Sequence, residues 1–224
     1  MKTIYRNPEV LPTELLIEED THLVFFFSGA RAALPAKCCL TVSPQVSLKV
    51  TYIDFAKSDA DLDFDVVLKD DARAELSLAS LNEEHKKVYR FNVRHEGVRS
   101  YSRTKMGGIN DGKGVLRFLG SSYIRNGAHK CDTRQEGKIT NLSADCKSEV
   151  SPSLLIKEND VRASHGAALG AYNPDHLFYL MSRGLTMEES KRLITYGSLL
   201  PMIESAEDDS LIEEAKNSLG AITL

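Results

Sequence analysis

Residues 154–184, LLIKENDVRASHGAALGAYNPDHLFYLMSRG, contain an extended run, a histidine followed by glycine, and a well-marked helix, in that order. Leu154, Leu155 and Ile156 followed by Val161 read as short strands, and Gly166 and Gly170 permit backbone turns that residues with a Cβ resist. Asn173 is an N-cap, Pro174 sits at the first helical position where its missing N–H is harmless, and Asp175 puts an acid in the first turn. Gly184 closes the helix.

Upstream, the chain is a series of short β-like runs punctuated by turns. Leu48 to Phe55 alternates, as does Leu62 to Leu68 with Asp61, Asp63 and Asp65 on the other parity. Ala72 to Leu78, Val88 to Val93, Val98 to Arg103, Val115 to Leu119 and Ser122 to Ile124 continue the pattern. No helix longer than a turn or two is expected between residues 45 and 160. A sandwich, a barrel and a solenoid fit this pattern equally well, and no repeat of fixed length selects among them.

Downstream of Gly184 the character is helical. Thr186-Met187-Glu188-Glu189 has capping-box spacing. Leu193, Ile194, Gly197 and Leu200 mark one face until Pro201 interrupts, and Asp209 to Leu219 places Leu211, Ile212, Ala215 and Leu219 together with acids opposite.

With 224 residues, 42% hydrophobic and 27% charged, the chain can bury a substantial core in one domain with a small appendage. A net charge of −4 gives no reason to expect nucleic-acid binding. Four cysteines, two of them adjacent at Cys38 and Cys39, do not form the spaced framework of a small secreted domain, which points to a reducing cytoplasm. The start, MKTIYRNPEVLPTELLIEED, lacks the apolar core of a signal peptide, and no apolar run approaches the roughly 20 residues of a membrane span.

Several chemical signals have plain structural readings. Gly107 to Gly114, GGINDGKG, nearly spells a phosphate-binding loop, but Gly114 stands where a serine or threonine would hold magnesium, and Val115 to Leu119 reads as a strand where a helix is required. A glycine-rich hairpin or rung turn is the better reading. His129, Cys131, Cys146 and His165 match no compact zinc spacing. Cys38 and Cys39 point to opposite faces of a strand, one of them as a small buried hydrophobe. Without tryptophan or a distinct carboxylate pair, a carbohydrate-cleaving β-helix enzyme is disfavoured.

Asp160-Val161-Arg162-Ala163-Ser164-His165-Gly166-Ala167 and, after a short gap, Asp175 to Leu185 (DHLFYLMSRGL) resemble the C-terminal part of the SufB/SufD family, the scaffold subunits of SUF iron–sulfur cluster assembly. The likeness is closer to SufD than to SufB, and continues faintly back through His95, Ser102, Gly114 to Gly120, Ala128 and Asp132 to Gln135. Set against that family the chain reads as short, with the N-terminal helical region of typical members expected to be missing, so roles of that region are not carried over. The resemblance implies a right-handed parallel β-helix (β-solenoid) over residues 1–170, the first 20 or so irregular, and a C-terminal helical subdomain over 171–224.

The resemblance also implies function. His165 matches the family histidine that faces the subunit interface where a cluster forms, and imidazole is a competent iron ligand. The SufB branch supplies a thiolate from a position that falls near Gly137 here, which cannot ligate. Cys131 lies nearby in sequence and is the second cluster or metal candidate, although a one-residue offset reverses the face a strand side chain occupies. Leu177, Phe178, Leu180 and Leu193 form the partner-binding surface for a SufC-like ATPase. The expectation is therefore a non-catalytic, cytoplasmic, SufD-like scaffold with no nucleotide site and no permanently bound cofactor. It would hold a transient iron–sulfur cluster at an interface with a SufB-like subunit or with itself as a homodimer. The other function class consistent with the sequence is a diverged homo-oligomeric β-helix interaction or regulatory protein without cluster chemistry.

Overall fold

The computed structural model describes residues 1–30 and 34–220. The strands are β1 (Lys2–Arg6), β2 (Glu14–Ile17), β3 (Thr21–Ala30), β4 (Leu34–Val42), β5 (Ser47–Lys57), β6 (Ala60–Leu68), β7 (Arg73–Asn82), β8 (Lys86–His95), β9 (Tyr101–Asn110), β10 (Val115–Ile124), β11 (Asp132–Asn141), β12 (Lys147–Ile156) and β13 (Arg162–Ala171). Helices α1 (Pro174–Ser182), α2 (Met187–Glu204) and α3 (Asp209–Gly220) follow. Odd-numbered strands stack in order into one parallel sheet and even-numbered strands into a second. The chain therefore climbs rung by rung, as a β-solenoid of about five turns.

Alternation within each strand sends one parity into the stack. In the odd sheet one inner column runs Phe25, Tyr52, Leu78, Met106, Gly137, Ala167. Aromatic side chains from both sheets fill the lower half of the stack: Tyr5 stacks on Phe25 with ring centroids 4.9 Å apart, and Phe64 of β6 meets Phe91 of β8 at 5.3 Å. The neighbouring column runs Leu23, Val50, Leu76, Thr104, Gln135, His165, so the interior turns polar toward the C-terminal end.

One corner of successive rungs is built from left-handed residues, Gln45, Asp71, Arg99 and Lys130. Each donates its amide to a carbonyl of the next rung: Asp70, Val98, His129 and Asp160 respectively, at 2.6–2.9 Å. The opposite corner carries a ladder of Asn82, Asn110 and Asn141 in register, with Asn82 Nδ2 donating to Asn110 Oδ1 at 2.9 Å. That ladder explains the phosphate-loop spelling. Gly107 and Gly108 lie inside β9, and a Cβ on Gly114 would lie 2.4 Å from Asn110 Oδ1. The turn accommodates side chains of the stack and has no helix N-terminus for a phosphate.

The odd sheet is apolar on both faces. Outward-facing Val24, Phe26, Ile53, Phe55, Ala79, Leu81 and Ile109 pack against Leu199, Met202, Ile203, Leu211, Ala215 and Leu219 of α2 and α3. An ionic clamp fixes the turn between these helices: Lys2 Nζ donates to the Glu207 carbonyl at 2.6 Å, Lys49 pairs with Glu207, and Arg6 pairs with Glu214 at 2.5 Å. The Lys49 hydrogen bond holds the Glu207 carboxyl below its ordinary range. The helical segment is thus a cover on the side of the solenoid.

The first 20 residues, expected to be irregular, form β1 and β2, because Ile4, Tyr5 and Ile17 have an apolar surface to pair with on β3 and β4. Helix α2 does not stop at Pro201; buried Leu199, Met202 and Ile203 hold the turns on either side of it. Its buried face is Ser190, Thr195, Leu199, Met202 and Ile203, and Leu193 lies outside that face, exposed. Val115 to Leu119 and Ser122 to Ile124 are one strand, β10.

Candidate functional site

The solenoid has two ends of opposite character. At the N-terminal end, β1 and β2 are short, separated by a loop containing Pro8 and Pro12, and Leu11 is buried against the core. Short, proline-flanked edges resist further pairing. At the C-terminal end, β12 and β13 span 10 residues each and are the last strands of their sheets. Leu155, Ile156 and Leu169 are exposed there.

His165 stands at that open end. In register with Gln135, it takes the inner parity of its strand, yet it is exposed because no rung follows. The other positions of that parity in β13, Ala163, Ala167, Leu169 and Ala171, are apolar, leaving the imidazole the one nitrogen-bearing side chain of that row. Gly137, where the resemblance puts the SufB thiolate, is buried one rung below, and a Cβ there would lie 2.5 Å from Val150 Cγ1.

The remaining sulfur and imidazole groups do not converge on His165. Cys131 is buried at the corner before β11, among Ile124, Ala128, Val161 and Ala163, with its Sγ 3.1 Å from Ser100 Oγ and 3.3 Å from the Gly97 carbonyl. Cys146 lies in the β11–β12 connection and donates to the Ser143 carbonyl at 2.9 Å. His129 sits 3.3 Å from Glu158, whose carboxyl is held below its ordinary range by the Gly127, Asn159 and Asp160 amides. Among the described residues no group of three or more His, Cys, Asp or Glu side chains is placed to hold a metal ion. Cys38 points inward with its thiol pushed up to about 12 by burial, while Cys39 faces out, half-buried. A groove of about 390 Å³ between α2 and strands β9, β11 and β13 opens on the outer face of the odd sheet, away from the imidazole.

The tail's apolar surface divides in two. Leu177 and Leu180 are half-buried, whereas Phe178 is 75% and Leu193 48% exposed, together with Tyr179, Met181 and Met187. The local signals formed as read: Asn173 Oδ1 accepts from the Asp175 amide at 2.9 Å, and Thr186 and Glu189 close a capping box. Helix α1 has no buried residue and is tied back by Tyr172, whose hydroxyl meets Thr195 Oγ1 at 2.8 Å.

The family profile for the SUF system FeS cluster assembly SufBD core domain matches residues 36–198, which cover most of the solenoid, α1 and the first part of α2. The chain belongs to the SufBD core family. The match begins well before the segment in which the sequence resemblance was strong. Among relatives, the iron-sulfur cluster assembly protein SufD of Bacillus subtilis is 43% identical over 86 residues, covering 38% of this chain and 20% of the relative. The protein of the same name from Escherichia coli is 27% identical over 108 residues, 48% of this chain and 26% of the relative. A SufBD family protein of Pyrococcus horikoshii is 36% identical over 114 residues, 49% of this chain and 25% of the relative. The matches thus span about a fifth to a quarter of these relatives. No helix among the described residues is long and apolar enough to cross a membrane.

Proposed function

We propose that this SufBD family chain is a non-catalytic, SufD-like scaffold subunit of iron–sulfur cluster assembly in the cytoplasm. The carrying observation is the C-terminal end of the solenoid, where two unblunted edge strands surround an exposed inner histidine, His165. Parallel strands with free N–H and C=O rows recruit further strands. A SufB-like subunit, or a second copy of this chain, pairs there and brings the thiolate that Gly137 does not provide. The cluster is cargo, held transiently at that interface through His165 Nδ1 or Nε2. Cys131 is left out of the ligand set, because its buried thiol already contacts Ser100 and Gly97.

Phe178 and Leu193, with the half-buried Leu177 and Leu180, present an apolar ridge to a SufC-like ATPase. ATPase dimerisation would then pull on α1 and, through the Tyr172–Thr195 contact, on the end of β13, changing access to the cluster site without hydrolysis by this chain. Pull-down of the native protein from its own cells tests the assignment. A SufC-like ATPase accompanied by a SufB-like chain is the expected result; recovery of a bare homodimer would instead support the diverged β-helix module.

A further inference from the structure

The polar part of the interior holds one continuous hydrogen-bonded chain, and its direction follows from its first member. Gln135 Nε2 donates to Ser122 Oγ, with the Ser153 carbonyl at 3.3 Å on its other side. Turning the amide over would set its oxygen against that carbonyl, so the nitrogen belongs where it is. The amide oxygen is buried and has no hydrogen-bond partner, so the Ser153 contact sets the orientation.

Ser122 therefore accepts from Gln135 and, among the described residues, has Thr133 Oγ1, 2.8 Å away, to receive its proton. Thr133 in turn donates to Ser102 Oγ at 2.7 Å, and Ser102 donates to His95 Nε2 at 2.9 Å. A neutral His95 then carries its proton on Nδ1 and gives it to Ser100 Oγ at 2.8 Å. Ser100 passes its own proton to the Gly97 carbonyl at 3.0 Å, and its oxygen lies 3.1 Å from Cys131 Sγ. Burial keeps His95 neutral, its pKa lowered to about 4 against a small opposing effect of Asp132.

We propose that Cys131, Ser100 and His95 form a latent thiol–hydroxyl–imidazole site, held inactive because the Gln135 amide fixes His95 as its Nδ1–H tautomer. If the amide turns over, every bond of the chain reverses: Ser122 donates to Gln135, Thr133 to Ser122, Ser102 to Thr133, and His95 Nε2–H to Ser102. His95 Nδ1 then faces Ser100 with a free lone pair. As Cys131 attacks an electrophile, its S–H proton can move to Ser100 Oγ while the Ser100 proton moves to Nδ1, so the imidazolium forms only as sulfur gains its new bond and the leaving group departs with its bonding pair. The bias resides in Ser153 of β12, an edge strand, so a shift of that edge is what would release the amide. Cys131 is covered by Val161 and Ala163, so a small soft electrophile reaches it when the last rung opens. None of this depends on whether His165 holds a cluster.

Nitrogen-15 NMR of the histidines in the full chain, with His95 assigned by loss of its signals in His95→Gln, reads the tautomer directly. The wild type should show Nδ1–H, and Gln135→Glu, which removes the donor, should show Nε2–H. Iodoacetamide labelling of Cys131 should then be about tenfold faster in Gln135→Glu and return to the wild-type rate when Ser100→Ala is added, whereas simple loosening would leave the double variant fast. If Gln135→Glu does not fold, Ser102→Ala should leave His95 a mixture of tautomers. A wild-type Nε2–H form, an unchanged tautomer in the variants, or labelling indifferent to Ser100 would overturn the proposal.

Discussion

Lys87 and Asp54 are both fully buried, 3.0 Å apart, with Lys87 also donating to the Leu81 carbonyl at 2.9 Å and the Tyr89 hydroxyl donating to Asp54 Oδ2 at 2.8 Å. Burial and the Asp54 charge push the Tyr89 hydroxyl well above its ordinary range, so it stays a donor. Removing one partner strands the other charge in the interior; Lys87→Met should destabilise the fold by about 3–5 kcal/mol in urea unfolding. An unchanged midpoint would mean the pair is hydrated. The buried histidines set a pH dependence. His95 and His22 both have values near 4, lowered first by burial and, for His22, next by Lys49. Their folded-state values lie below the unfolded one, so the unfolded chain binds protons first, and stability is lost as pH falls from about 6.5 toward 4. For His95 the full effect is on the order of 3 kcal/mol. Urea midpoints measured between pH 7 and 4.5 should decline through that window, and a flat profile would contradict neutral burial. At this scale the sequence was partly legible. Asn173, Thr186 and Glu189 announce their roles because capping is local. The partners of His95, Ser102 and Gln135 lie on other rungs, and nothing in their spacing shows it.

Helices and inner strand faces could be read because their periodicity is local: the cap at Asn173, the closing Gly184 and the capping box at Thr186 mark α1 and the start of α2, while the continuation of α2 past Pro201 depends on packing. The outer apolar face of β3, β5 and β7 could not, since a strand buried on both sides loses alternation and β3 reads simply as THLVFFF. Nor could the repeat. From β3 onward the odd strands begin at Thr21, Ser47, Arg73, Tyr101, Asp132 and Arg162, so the spacing varies from rung to rung and no fixed period exists. The left-handed corners at Gln45, Asp71, Arg99 and Lys130 also lack the glycine that usually marks such turns. The cover role of α2 and α3 divides the tail. Deleting residues 186–224 should expose Phe26, Ile53 and Phe55 and cause aggregation on size exclusion. Phe178→Asp, on the unburied α1, should leave the melting temperature within about 2 °C of wild type while abolishing capture of a purified SufC-like ATPase. Equal capture by the variant would remove α1 from the docking surface.

As a whole, the molecule is a solenoid with one blunted end, one open end and a clamped side cover. Among the described residues only the open end offers long unpaired strands, and its inner row places His165 where a partner would meet it. The chain alone should therefore dimerise through β12 and β13 and exchange into a mixed dimer with a SufB-like subunit; a monomer by light scattering at micromolar concentration, with no mixed species on adding that subunit, would count against the interface. The most direct measurement is iron and acid-labile sulfide content of the complex reconstituted with ATPase, SufB-like subunit, iron and a sulfur donor, comparing wild type with His165→Ala. Because His165 is exposed, the variant should fold and assemble normally yet hold at most about a tenth of the wild-type cluster. Equal iron and sulfide in the two complexes would show that the open-end histidine plays no part in cluster assembly.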